Sequence, residues 1–118
     1  MAGKRGGKIP RPIANDEWTP KFGNNAAGKD WSEMASSKLR PGLIKFWEIV
    51  TRHPRSGANP GRHHRLKGEL ATKILSGARL EQWQHEISSG GRIWFLIDDK
   101  NKIVWVTKVS PGHPSKTD

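Results

Sequence analysis

The sequence predicts an α+β domain in which an N-terminal helical hairpin packs on a small antiparallel sheet. Two observations carry that expectation. In the first half apolar residues recur at helical spacing, whereas from Leu80 onward short apolar runs alternate with pairs of turn-forming residues. The 118 residues amount to a single domain, assigned to residues 13–118 behind a flexible basic arm at 1–12.

The arm carries Lys4, Arg5, Lys8 and Arg11 among glycines and prolines, with no apolar stretch after it to complete a secretory signal. It reads either as a contact for nucleic acid or as a solvated tail. Asp16 to Phe22 is expected to form a short edge strand, weakened by Pro20. Asn24 or Asn25 offers an N-cap to a first helix bearing Ala26, Ala27, Trp31, Met34 and Ala35. After Arg40-Pro41-Gly42, the residues Leu43, Phe46, Trp47 and Val50 follow the i, i+3, i+4, i+7 spacing of a second helix.

That helix is expected to end before His53-Pro54, and residues 56–61 are dense in turn formers. Arg65 to Leu70 enters a strand, while Ala71 to Gly77 fits a helical turn or a loop equally well. Trp83 to Ile87, Arg92 to Ile97 and Lys102 to Val109 then form an antiparallel meander, joined at Gly90-Gly91 and at Asp98 to Asn101. In its middle strand Ile93, Phe95 and Ile97 share the face that packs on the helices. Arg92, Trp94 and Leu96 share the uncovered one.

Charge narrows the function. Lys and Arg number 21 against 11 Asp and Glu, a net +10, so polyanions, membrane surfaces or a strongly acidic protein are the partners that charge allows. The chain has no cysteine, which excludes disulfides and thiol chemistry and suits a cytoplasmic protein. Its longest apolar run, Ile93 to Ile97, is far too short to span a bilayer, so no membrane partner is expected. Of the five histidines, His63 and His64 are adjacent and no Asp or Glu accompanies them at ligating spacing, so neither a metal nor a cofactor is expected. A Gly-x-Ser-x-Gly elbow and a phosphate-binding glycine loop are both missing.

What remains is a basic, histidine-bearing set. Between Ile49 and Gly68 lie Arg52, Arg55, Arg62, Arg65, Lys67 and three histidines, with no carboxylate. His85, Arg92, Lys108 and His113 follow along the sheet. Cations neutralise phosphates and imidazoles move protons near neutral pH, so the set suits RNA. A solvated basic surface accounts for the same spacing. Trp94 and Trp105 can stack on bases or fill a core.

The motifs Arg65-Leu66-Lys67-Gly68, Trp83-Gln84-His85-Glu86-Ile87 and Gly90-Gly91-Arg92-Ile93-Trp94-Phe95, in this order, resemble the RelE/ParE superfamily of bacterial toxins over roughly Trp18 to Asp118. The ending Gly112-His113-Pro114-Ser115-Lys116-Thr117-Asp118 is similar to that of a branch found in actinobacteria and their phages. The resemblance implies a RelE-like fold, an acidic antitoxin as partner and cleavage of mRNA on the ribosome. It implies that Arg92 holds the scissile phosphate, that His113 is a catalytic or base-stacking group, and that His64 stands where some relatives carry a carboxylate base. It places Lys67 and His85 among phosphate-contacting or proton-transferring positions. Arg62, Arg65, Lys108, Lys116 and Trp94 complete the expected RNA-binding set. The chain departs from many relatives in having no tyrosine and in placing Gly91 before the arginine.

The chemistry expected of such a site is metal-independent: the 2′-hydroxyl attacks the adjacent phosphate and leaves a 2′,3′-cyclic phosphate and a 5′-hydroxyl. Histidine can serve as base and as acid, and Arg92 as the charge stabiliser. His64 is the expected base and His113 the acid or stacking group, with the reverse assignment open. A ParE-type toxin that binds gyrase and a non-catalytic nucleic-acid-binding module are the alternatives.

Overall fold

The computed structural model describes residues 3–14, 16–88 and 90–112. Strand β1 (Thr19–Phe22) comes first, followed by α1 (Asn25–Ala35) and α2 (Arg40–Val50). After a loop, β2 (His63–Arg65) leads through a 3-10 turn (Gly68–Ala71) into β3 (Thr72–Leu75), β4 (Ala78–Glu86), β5 (Arg92–Asp98) and β6 (Ile103–Ser110). No helix among the described residues is long and apolar enough to cross a membrane.

The six strands form one mixed sheet in the order β1-β6-β5-β4-β2, with β3 also paired to β4. This corrects the expected architecture in two respects. The edge strand expected ahead of the helices is present as β1, so the helices do not open the domain as an N-terminal hairpin, and the sheet is not purely antiparallel because β1 runs parallel to β6. Parallel neighbours need a long crossover instead of a tight turn. Here that crossover is nearly the whole chain, so no local signal announces it.

Local chemistry explains the elements. The Asn24 side chain accepts the Ala27 N–H at 2.7 Å and caps α1, while its amide donates to the Thr107 carbonyl of β6 at 3.0 Å. Pro41 sits in the first turn of α2, where its missing N–H leaves no bond broken. Pro20 lies on β1, an edge strand, the place a sheet tolerates proline. Ser76 and Gly77, both at positive φ, close the β3–β4 hairpin. The segment that sequence left open is therefore mostly a strand.

The core forms where the helices meet one face of the sheet. Phe46 and Val50 of α2 and Ile93, Phe95, Ile97, Val104 and Val106 of the sheet are buried there. Phe46 packs against Phe95 and Trp31 with ring centroids 5.4 Å and 6.0 Å away. Trp47, which shares the helical spacing of Leu43, Phe46 and Val50, is 44% exposed while those three are buried. On the opposite face Leu96 is also fully buried, flanked in register by Gln82 and Trp105. Toward Arg92 and Trp94 that face is more open, both residues being half-buried.

Candidate functional site

Pairing register determines which basic residues share a face. His64 of β2 stands opposite Gln84 of β4, and Gln84 opposite Trp94 of β5. Trp94 faces Lys108 of β6, and Arg92 lies between Glu86 and Ser110. Contacts confirm this grouping: the Trp94 indole N–H donates to Gln84 Oε1 at 2.8 Å, and the Lys108 ammonium lies 4.8 Å from the Trp94 ring centroid. A cation over an indole at this distance is a favourable pair.

Arg92 opens β5, half-buried, and its Nε is buried without a hydrogen-bond partner among the described residues. An orphaned guanidinium nitrogen is costly unless something completes it. Glu86 and Asp98, the carboxylates nearest in sequence and register, form no ion pair with it among the described residues. Asp98 is instead bonded to Asn101 and Trp105. The Gly91 backbone before Arg92 packs tightly, since a Cβ there would lie 2.7 Å from Ser88 Oγ and 3.1 Å from the Pro111 carbonyl oxygen.

His64 shares this outer face. Its Nδ1 lies 3.2 Å from the Pro60 carbonyl, an acceptor, so Nδ1 carries a proton and Nε2 of the neutral ring presents a lone pair. Two strand spacings and a diagonal offset separate His64 from Arg92, about 10–12 Å between Cα atoms, within the combined reach of the two side chains around one phosphodiester.

The remaining expected residues are placed elsewhere. His85 points to the helix side of the sheet, away from Arg92, and pairs with His63. Arg65 is exposed at the β2 edge, its Nε donating to the Ala71 carbonyl at 3.2 Å and its Nη1 3.8 Å from Glu81. Lys67 is exposed before the 3-10 turn. Arg62 is exposed at the rim of a cleft on the helix side. His113 and Lys116 lie outside the described residues.

The histidine pair is the arrangement that residue spacing did not reveal. The Nδ1 atoms of His63 and His85 are 3.0 Å apart, and His63 Nε2 is 2.7 Å from the Pro54 carbonyl. Both rings are buried. Burial lowers the pKa of each, that of His85 to about 4 with help from His63, Arg62 and Lys45. The signal was available in one form: adjacent histidines on a strand must face opposite ways, so one of His63 and His64 had to point inward.

Arg55 also has a role that composition concealed. Its guanidinium donates to both carboxylate oxygens of Asp99 at 2.9 Å and 2.7 Å, and its Nε to Glu81 at 3.0 Å. It ties the loop after α2 to the sheet and is not a free cation. Among the described residues, no three His, Asp or Glu side chains are grouped as metal ligands. No protein-family model and no curated protein matches the chain.

Proposed function

We propose that this chain is a RelE/ParE-type toxin acting as a metal-independent endoribonuclease on mRNA, with an acidic antitoxin as its partner. The observation that carries the reading is Arg92: a half-buried guanidinium at the start of β5 that forms no ion pair among the described residues, two positions along the strand from the stacked Lys108–Trp94 pair. Arginine stays protonated at neutral pH and offers a planar fork to two phosphate oxygens, so it suits a phosphate whose charge grows during reaction. Trp94 supplies a π surface for a base, and Lys108 a cation for a neighbouring phosphate.

In this reading His64 Nε2 takes the proton of the substrate's 2′-hydroxyl. The 2′ oxygen forms a bond to phosphorus as the bond from phosphorus to the 5′ oxygen breaks. His113 returns a proton to that leaving oxygen, and Arg92 holds the non-bridging oxygens throughout. The products are a 2′,3′-cyclic phosphate and a 5′-hydroxyl. His85, on the other side of the sheet, has no part in these steps.

The test is to add the protein to an in vitro translation reaction and map RNA 5′ ends. New ends within codons, bearing 5′-hydroxyls, are expected. Inhibition without new ends would replace cleavage by binding alone.

A further inference from the structure

Behind the sheet, on the face opposite Arg92, a cleft of about 620 Å³ opens between the first turn of α2 and strands β2 and β4. Its lining includes Lys45, Arg62, His63, His85 and Glu86. The hydrogen bonds fix the state of the histidines. The Pro54 carbonyl can only accept, so His63 Nε2 carries a proton; in the neutral ring Nδ1 is then a lone pair, and His85 Nδ1 must donate to it. That leaves His85 Nε2 as a bare acceptor, and among the described residues no donor reaches it. His85 is only 5% exposed, yet it borders the cleft.

The cleft therefore offers two exposed cations at its rim, the positive end of the α2 dipole, and an acceptor on the largely buried His85 ring. A complementary ligand carries an anionic group and, separately, a hydroxyl or amine to donate. The volume falls within the range of about 300–1,000 Å³ typical of small-molecule sites, larger than a bare oxyanion needs. Glu86 opposes further negative charge, which disfavours a polyphosphate.

We propose that this cleft binds a small phosphomonoester of nucleotide size, its phosphate between Lys45 and Arg62 and a donor group on His85 Nε2. The site does not depend on the ribonuclease reading, because Arg92, Trp94, Lys108 and His64 are absent from its lining.

The full-length protein is titrated with adenosine 5′-monophosphate, inorganic phosphate and adenosine while the ring nitrogens of His63 and His85 are followed by NMR. The monophosphate should shift both rings saturably at millimolar concentration or below, more tightly than inorganic phosphate, and adenosine should not. Lys45→Ala with Arg62→Ala, both surface changes, should weaken the monophosphate by at least about tenfold, while Arg92→Ala should leave its affinity unchanged. The proposal is overturned by no saturable shift, by equal affinity for inorganic phosphate, by indifference to the Lys45 and Arg62 changes, or by loss of binding on Arg92→Ala. The last result would move the phosphate site to the outer face without bearing on whether RNA is cut.

Discussion

His63 and His85 share one proton position across a 3.0 Å gap between their Nδ1 atoms, so the two rings cannot both be cationic without breaking that bond. Both folded-state pKa values lie below the ordinary 6.5, that of His85 at about 4. The unfolded chain therefore binds more protons than the folded one as pH falls from 6.5 to about 4. Stability is complete above the upper value and declines through this window. For His85 alone the loss is on the order of 3 kcal/mol. The melting temperature should fall between pH 7 and pH 5, and His85→Phe should flatten that fall while lowering stability at pH 7 by orphaning His63 Nδ1. An unchanged slope in the variant would remove the pair as its cause.

Gly42 is fixed by close approach of α2 to the end of β4. A Cβ at this position would lie 1.8 Å from Ile87 Cγ2, 3.1 Å from its Cβ and 3.3 Å from its carbonyl oxygen. A β-branched methyl and a backbone oxygen cannot move aside independently, so α2 must shift. Gly42→Ala should cost about 1–3 kcal/mol in chemical denaturation. Ile87→Ala should be less damaging in the Gly42→Ala background than alone, a non-additivity expected of touching residues. Additive losses would mean the two sites do not meet.

Arg55 holds Asp99 and Glu81 in their ionised forms, and its hydrogen bonds are the first cause of the lowered pKa of each. Arg55→Ala should therefore raise both carboxyl pKa values in an NMR titration. Because the groups are partly exposed, the stability loss should be no more than about 1 kcal/mol and smaller at high salt. Amides of residues 51–62 should exchange faster. If the Asp99 titration did not change, the loop would have to be held by its backbone bonds alone.

These arrangements show how much of the molecule was legible beforehand. Signals that act within a few residues were readable: the Asn24 cap, the proline in the first turn of α2, and the alternation that sends Phe95 inward and Trp94 outward. Pairings between distant segments were not. Nothing near Thr19 points to Ile103, so the parallel β1–β6 ladder and the mixed sheet were missed. Strand β3 was missed because its Ile74 is 56% exposed and gives no inward pattern, and because Ser76 is an uncommon residue at positive φ. The basic residues were grouped by sequence, whereas the sheet divides them, with Arg92, His64 and Lys108 on one side and Arg62 and His85 on the other. Strand alternation separates neighbours as readily as pairing joins strangers.

Arg92 is where the proposed chemistry is most exposed to disproof. Its side chain leaves the strand on the face opposite Ile93, Phe95 and Ile97, so the main core does not depend on it. Its Nε has no partner and its guanidinium forms no ion pair among the described residues, so removing it breaks no ion pair made there. Arg92→Ala should consequently keep its circular dichroism and its melting temperature close to the parent, and should still bind the antitoxin. Cleavage should fall by about 100- to 1000-fold, the usual effect of losing one preorganised contact to developing charge. Arg92→Lys should recover only part of the rate, because an ammonium restores the charge without the planar fork that grips two oxygens. A surface cation that merely attracts RNA would behave differently: its loss would weaken binding, adding salt would mimic it, and saturating protein would restore the rate. A folded Arg92→Ala protein that cuts RNA at the parent rate would exclude Arg92 from the reaction and favour inhibition by protein binding alone.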